Sequence, residues 1–270
     1  MRVFFLICLI SWVWPVTAAI LFDSSFENIE KPGPDNTGPY DESLLQTSPS
    51  LTIRDDGTVI ENVDITGRIK IEANNVTVRN FRIDGGGTHY GIQVVSGYSD
   101  ILIEDGEIFN INSAAILGVG FTARRLNVHD SGGDGFKVQG SGGPTLIKQS
   151  WIHHLGKNKG AHADGNQTRG GIDIAFRYNN CDMPITDPAP YKSNACFILQ
   201  EAGGTVDNFE IRNNWLNGGN YTIYCGGTDN RIVGNRFGRD YRFGYQNGCG
   251  NMVWENNIWE DTGEPVPTSP

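Results

Sequence analysis

Residue types that transfer protons or bind anions are concentrated in two short segments of this chain, DGFKVQ at 134–139 and HADGNQTR at 162–169. A lysine or histidine can act as a general base or acid, and an arginine can neutralise a carboxylate. β-Elimination at a uronic acid needs these functions, because a proton leaves C5, the carboxylate must be neutralised and the leaving oxygen must be protonated. We therefore predict Lys137, His162 and Arg169 as catalytic residues, with Lys137 as the base.

Further polar side chains near these segments could bind a sugar chain. The predicted substrate-binding residues are Gln93, Gln139, Lys157, Lys159, Gln167, Tyr221 and Arg242. Asp134 and Asp164 are candidate ligands for Ca²⁺, the one cofactor that the sequence suggests, because calcium prefers carboxylate oxygens. Both aspartates precede a glycine, so turn formation explains them about equally well.

The charge distribution points to an anionic partner. The whole chain has a net charge of −10, yet residues 124–177 contain eight basic side chains against four acidic ones. A basic region on an acidic protein suits an acidic polysaccharide such as a uronan, whereas the overall charge argues against nucleic acid. Lysines on solvated loops are the alternative explanation of the same residues.

A repeat with a period in the low twenties must position these side chains. Eight segments share alternating apolar residues followed by a small polar residue; they are 59–65, 76–83, 101–108, 122–128, 146–152, 209–216, 231–237 and 252–258. Short strands at this period predict a β-solenoid, in which stacked coils bury the core between them. Asn62, Asn80, Asn213, Asn235 and Asn256 occupy equivalent turns and could form hydrogen-bonded ladders.

The fold expected from this repeat is all-β, a single-stranded right-handed parallel β-helix of about nine to ten coils. We place it at 51–260, after an N-terminal arm or cap at 20–50 and before a disordered tail at 261–270. Because strand side chains alternate between faces, Phe136 and Val138 should point inward. Stacking then sets Lys137 beside Gln167 and Gln139 beside Arg169.

The repeat and its polar turns resemble the pectate-lyase-like superfamily of right-handed β-helices, over roughly 51–260. That superfamily includes polysaccharide lyases, uronan epimerases, glycoside hydrolases and phage tail spikes. The resemblance implies the fold and an action on polysaccharides, without assigning one family. We expect a polysaccharide lyase acting on a uronate-containing chain. The alternatives are a C5-epimerase, a hydrolase that uses Asp134 and Asp164, and a non-catalytic binding β-helix.

The N-terminus and the cysteines predict export. Residues 1–19 combine a positive start, an apolar run and a small-residue end, the layout of a signal peptide cleaved after Ala19. The mature protein should be extracellular, and we expect a monomer. Four cysteines remain, an even number that suggests disulfides. One pair flanks a proline-rich insertion and the other lies one repeat apart, so we predict Cys181–Cys196 and Cys225–Cys249.

Overall fold

The structure, a computed structural model, describes residues 29–140 and 142–269; the predicted signal peptide lies outside these residues. Within them, two 3-10 helices occupy Glu42–Leu44 and Cys249–Asn251, and the remaining regular structure is β. The strands, in chain order, are β1 Gln46–Ile53, β2 Val59–Ile71, β3 Thr77–Asp84, β4 Tyr90–Val94, β5 Ile101–Phe109, β6 Ala114–Leu117, β7 Phe121–Val128, β8 Asp134–Lys137, β9 Thr145–Lys148, β10 Trp151–His153, β11 Ala163–Thr168, β12 Gly171–Arg177, β13 Asn180–Met183, β14 Ser193–Leu199, β15 Val206–Arg212, β16 Trp215–Gly218, β17 Tyr221–Tyr224, β18 Arg231–Val233, β19 Arg236–Phe237, β20 Gly244–Asn247, β21 Val253–Glu255 and β22 Ile258–Trp259.

The strands stack in parallel from one coil to the next. The first face consists of β1, β2, β3, β5, β7, β9, β12, β15, β18 and β21, one strand from each of ten coils. The second face runs β2, β4, β6, β8, β11, β14, β17 and β20, and the third continues from β7 through β10, β13, β16, β19 and β22. The right-handed parallel β-helix and the number of coils predicted from the repeat are therefore confirmed.

The core consists of columns of equivalent side chains, one from each coil. One such column runs Ile65, Ile83, Ile108, Val128, Ile152, Cys181, Leu216, Phe237 and Trp259. Each of these side chains is buried. Alternation along each strand directs every second residue inward, so a coil buries its apolar side chains only against its neighbours. Burying one such side chain stabilises the fold by roughly 1.5–3 kcal/mol.

Asparagine ladders connect the coils at one turn, although the main ladder lies one residue away from two of the five predicted positions. Its members are Asn179, Asn214, Asn235 and Asn257, joined side chain to side chain at 3.0 Å. The predicted Asn213 and Asn256 instead adopt φ values of 55° and 54°. Asparagine tolerates this left-handed conformation, which turns the chain into the following buried amide. Asn235 and the Asn80–Asn62 pair, at 2.7 Å, match the prediction.

The described part of the N-terminal arm lies along the outside of the β-helix. Lys31 forms an ion pair with Glu260 at 2.7 Å, near the last coil. Asn180 Nδ2 donates to the carbonyl of Pro32, and the N–H of Gly38 donates to the carbonyl of Arg125. The arm therefore passes from the last coils to the first. The β-helix then begins at β1, a few residues before the predicted boundary at 51.

The prediction of a disordered tail is wrong for the described residues. Pro265 forms an antiparallel bridge with Ile258, and Val266 is buried. The indole N–H of Trp254 donates to the carbonyl of Val266 at 2.9 Å. The tail folds back because the last coil has no following coil to cover its apolar side chains, and Val266 covers part of them.

Both predicted disulfides are present. Cys181 pairs with Cys196 and Cys225 pairs with Cys249, with Cα–Cα distances of 5.9 and 5.0 Å. Two disulfides are consistent with the predicted extracellular location. Among the described residues, no helix has the length and apolar character needed to cross a bilayer.

Candidate functional site

The two sequence segments meet on the second face, where β8 and β11 lie on coils five and six. Asn166 pairs with Phe136, and both side chains are buried. This register directs Lys137 and Gln167 outward side by side, and Lys137 Nζ donates to Gln167 Oε1 at 3.0 Å. The structure thus places Lys137 and Gln167 next to each other as the alternation predicted.

The glycines after the two aspartates serve close packing rather than a turn. Gly135 and Gly165 lie within strands and are buried. A Cβ on Gly165 would lie 2.8 Å from both the sulfur of Cys181 and the carbonyl oxygen of Cys196. The coils can approach here only where no side chain intervenes. The turn explanation of Asp134 and Asp164 therefore does not hold.

Asp134 and Asp164 form a buried carboxyl pair on consecutive coils, with exposures of 3% and 1%. Asp134 binds the Lys137 ammonium through Oδ2 and accepts the N–H of Asp164 through Oδ1 at 2.9 Å. Asp164 Oδ1 accepts from Asn194 Nδ2 at 2.9 Å. Burial raises the pKa of Asp134, against the opposing effect of Lys137. Burial and the charge of Asp134 raise the pKa of Asp164 well above its usual value.

A cavity of about 370 Å³ opens above this pair, and we call it the central cavity. Its ionisable lining residues are His89, Asp134, Lys137, Lys159 and His162. His162 and Lys159 are exposed side chains of the segment that enters β11. Within the described residues, no hydrogen bond or ion pair engages His162. Two of the three predicted catalytic residues, Lys137 and His162, therefore share one cavity.

A second cavity of about 270 Å³, the C-terminal cavity, continues from the central one along the helix axis. His162 lines both cavities. Beyond His162 the lining includes Lys192, Asn194, Asn220 and Arg242, so the predicted binding residue Arg242 belongs to this cavity. Asn220 donates to Asn194 at 3.0 Å, and Asn194 in turn donates to Asp164. A chain of amides thus links the carboxyl pair to this cavity.

Arg169, the third predicted catalytic residue, lies apart from Lys137 and His162. It lines a lateral cavity of about 490 Å³ together with Gln93 and Gln139. Arg169 follows Asp164 by five residues, which is roughly 16 Å along an extended strand. Gln139 Oε1 is buried there without a hydrogen-bond partner in the described part of the chain. The structure therefore assembles the predicted residues Gln93, Gln139 and Arg169 into a separate polar site.

Two predicted binding residues lie outside these cavities. Lys157 Nζ forms an ion pair with Asp130 at 3.1 Å. Asp130 also accepts a hydrogen bond from the Tyr191 hydroxyl. Tyr221 belongs instead to an aromatic group on the same face, where its ring lies 5.2 Å from that of Tyr224.

The charged side chains that line the three cavities are mostly positive. Their linings contain the cations Lys137, Lys159, Arg169, Lys192 and Arg242. The only lining carboxyl group among the described residues is Asp134, which is already bound to Lys137. This face is therefore electropositive on a protein of net charge −10.

The donor set around Asp134 and Asp164 fits an ammonium group rather than Ca²⁺. Calcium takes six to eight oxygen ligands. Here one carboxyl already binds the Lys137 ammonium and the other accepts from two amides, at 2.9 and 3.5 Å. Across residues 29–140 and 142–269, no group of three or more His, Cys, Asp or Glu side chains could hold a metal ion. We therefore derive no step through calcium.

Sequence reasoning did not identify Asn194, Lys192 and His89 as site residues. Lys192 and Asn194 stand at the end of the Cys181–Cys196 insertion, just before the strand core that the repeat pattern marks. The disulfide that closes the insertion was the available signal, because it ties the end of the insertion back to β13 of the same coil. His89 precedes β4 and enters the lining through the turn before that strand.

No protein-family model matches this chain, and no curated protein sequence matches it. Among solved structures, it is similar to a mutant tailspike protein of E. coli bacteriophage HK620 in complex with pentasaccharide, with a TM-score of 0.45 and 12% identity over 84% of this chain and 57% of that one. It is also similar to a mutant catalytic domain of a GH87 alpha-1,3-glucanase in complex with tetrasaccharides, with a TM-score of 0.46 and 12% identity over 76% of this chain and 50% of that one. The chain thus spans about half of the length of each of these two structures. Likeness at this level does not extend to function.

Proposed function

We propose that this protein is a carbohydrate-active enzyme that cleaves an acidic, uronate-containing polysaccharide by β-elimination. The observation that supports this proposal is the charge of the three cavities on the second face. Among the described residues, five cations line them, and the one lining carboxyl group is bound to Lys137. A polymer with regularly spaced carboxylates complements such a surface, whereas a neutral glycan would leave the cations unpaired.

His162 suits the role of the base that removes the C5 proton. Its side chain is exposed at the junction of two cavities, and an imidazole is a common general base in proteins. Lys137, which the sequence suggested as the base, donates from Nζ to both Asp134 and Gln167. An ammonium group held by two acceptors is placed to donate a proton or stabilise negative charge, not to accept a proton.

In the proposed reaction, His162 takes the C5 proton and the C4–O bond breaks. The electron pair of the C–H bond becomes the C4–C5 double bond, and the leaving oxygen takes a proton from the Lys137 ammonium. Lys159 neutralises the substrate carboxylate, which carries the developing negative charge. Proton exchange with water restores the histidine and the ammonium group. Arg169 and Lys192 contact carboxylates of neighbouring sugar units.

The test is a panel of polygalacturonate, alginate, glucuronan and glycosaminoglycans, followed by the ultraviolet absorbance of unsaturated uronate ends. Wild-type protein should produce such ends from at least one polymer. The variant Lys159→Ala should be slowed, whereas Lys157→Ala is the matched control, because Lys157 is paired with Asp130 outside the cavities. No absorbance change with any polymer would contradict the elimination reaction.

A glycoside hydrolase is the second candidate, and the buried Asp134–Asp164 pair favours it. Acid–base hydrolysis uses two carboxyl groups, one of which stays protonated because its pKa is raised. The pKa of Asp164 is raised in this way by burial and by Asp134. New reducing ends without unsaturated uronate would identify this reaction. If neither product forms, exchange of the C5 proton in deuterated water would identify an epimerase.

A further inference from the structure

Three aromatic side chains form a group on coils eight and nine, and we call Tyr221, Tyr224 and Phe243 the aromatic platform. Phe243 is 64% exposed, the most exposed large apolar side chain among the described residues. Its ring centroid lies 5.7 Å from that of Tyr221, at an interplanar angle of 43°. Tyr224 meets Tyr221 edge to face at 5.2 Å. Tyr221 and Tyr224 are half-buried, and an exposed ring packed against such neighbours is suited to a binding surface.

The platform is built into the stacked coils rather than carried on a loose loop. The N–H of Phe243 donates to the carbonyl of Asn220 at 2.8 Å, and the N–H of Arg242 donates to the carbonyl of Gly219 at 2.9 Å. Tyr221 pairs with Gly244 on the next coil. A Cβ on Gly244 would lie 3.2 Å from the Tyr221 ring, so the glycine leaves space for that ring. The aromatic faces therefore have fixed positions before any ligand arrives.

The platform lies in the same row as the carboxyl pair. Asp164 pairs with Ala195, and the register of β14 with β17 and of β17 with β20 continues this row through Tyr221 to Gly244. Three steps of about 4.8 Å separate Asp164 from Gly244, or roughly 14 Å along the helix axis. The C-terminal cavity occupies the interval and ends at Arg242, beside Phe243. The guanidinium carbon of Arg242 lies 6.0 Å from the Phe243 ring centroid.

We propose that the aromatic platform is a stacking subsite for a sugar ring of the glycan chain whose reacting unit lies in the central cavity. The inference rests on the proposed function and adds a direction to it: the glycan lies along the helix axis, across coils five to nine. The apolar C–H face of a pyranose packs on the Phe243 ring, while Arg242 and Asn220 contact its polar groups. The separation exceeds one sugar ring, so only an oligosaccharide occupies both sites.

Affinity electrophoresis tests the platform without relying on turnover. Wild-type protein, Phe243→Ala, Phe243→Trp and Tyr40→Ala migrate through native gels that contain polygalacturonate, alginate, glucuronan or chondroitin sulfate. Tyr40 is the matched control, because it is an aromatic side chain with 59% exposure on the N-terminal arm. We expect Phe243→Ala to weaken binding roughly tenfold, and Phe243→Trp and Tyr40→Ala to bind like wild type.

The possible results separate this inference from the proposed reaction. Equal retardation of wild type and Phe243→Ala, or no retardation of wild type in any gel, would overturn the stacking subsite. Loss of a dimer on Phe243→Ala substitution, measured by sedimentation, would also overturn it and identify a second copy of the chain as the occupant. If the wild-type protein is retarded but forms no unsaturated ends, only the proposed β-elimination is contradicted. The comparison of variants would still test whether the aromatic platform binds a sugar ring.

Discussion

The backbone N–H of Asp164 donates to Oδ1 of Asp134 at 2.9 Å, which ties two buried carboxyl groups together across consecutive coils. The two carboxyl groups have different side-chain partners. Asp134 binds the Lys137 ammonium, whereas Asp164 accepts a hydrogen bond from Asn194. Only Asp134 lines a cavity; Asp164 lies beneath it. Burial raises the pKa of both carboxyl groups, and the Lys137 ammonium opposes that rise most directly at Asp134, which binds it.

Asp164 should make the protein less stable as the pH rises. Its folded pKa is raised above the usual value of 3.8, so between these two values the folded state binds more protons than the unfolded state. This stabilising contribution is complete below the unfolded pKa and is lost as pH rises through the folded pKa. Asp164→Asn should therefore flatten the fall in Tm that follows as the pH rises above about 4.

Thermal unfolding followed by circular dichroism measures this slope. Asp229→Asn is the matched control, because Asp229 is exposed and its left-handed backbone conformation also suits asparagine. The same pH slope in wild type and Asp164→Asn would show that the buried carboxyl does not titrate in this range.

Lys137→Ala and His162→Ala should each lower kcat by at least about 100-fold, as the loss of a general acid or base does. The two variants should differ in stability. Lys137→Ala leaves Asp134 buried without its cation, and breaking a buried pair costs roughly 3–5 kcal/mol. His162→Ala removes an exposed side chain and should leave Tm unchanged.

Steady-state kinetics and urea unfolding of both variants test this prediction. His154→Ala is the control for His162→Ala, because His154 is partly exposed and lies outside the three cavities. Wild-type rates in both site variants would remove Lys137 and His162 from the mechanism.

The repeat was enough to predict the fold and most of the register, because a period in the low twenties and strand alternation leave few other arrangements. It also placed Lys137 beside Gln167. What it could not predict is a contact between two side chains that the alternation assigns to opposite faces of a strand. Asp134 and Lys137 lie three residues apart on one strand yet bind each other, since the carboxyl group turns back toward the cavity.

The sequence also did not predict how far apart side chains lie along one strand of the second face. Arg169 follows His162 closely along the chain, but a strand extends so far per residue that the two side chains open into different cavities. The one-residue offset of the asparagine ladder has a similar origin. Consecutive asparagines such as Asn213 and Asn214 look alike in sequence, and only the left-handed backbone of the first shows that the second points inward.

Asn214 is the most connected member of the ladder, so Asn214→Ala should be strongly destabilising. Its Nδ2 donates to the carbonyl of Phe176 and to Asn235, and its Oδ1 accepts the N–H of Asn179. Each buried group left without a partner costs roughly 1–3 kcal/mol in the free energy of unfolding.

Urea unfolding measures this cost against Asn251→Ala, in which the amide is exposed. An equal, small effect of both substitutions would mean that the ladder does not contribute to stability. The test therefore shows whether the hydrogen bonds of the ladder stabilise the fold, or whether the stacked coils are equally stable without them.

The two disulfides should differ in what their removal does to function. Closing a loop of 15 residues stabilises a protein by about 3 kcal/mol, and the 24-residue separation of Cys225 and Cys249 predicts slightly more. Both paired Cys→Ser variants should therefore lose similar stability. Cys181–Cys196 also packs against Gly165, the residue after Asp164, whereas Cys225–Cys249 lies on coils eight and nine.

We therefore expect the variant lacking Cys181–Cys196 to lose cleavage activity at temperatures where it is still folded, because the strand that carries Asp164 is no longer held in place. The variant lacking Cys225–Cys249 should keep its kcat under the same conditions. Calorimetry gives the loss in Tm and the panel assay gives the rate, while peptide mapping without reduction checks the pairing. Equal losses of activity in the two variants would show that the first disulfide has no special influence on the site.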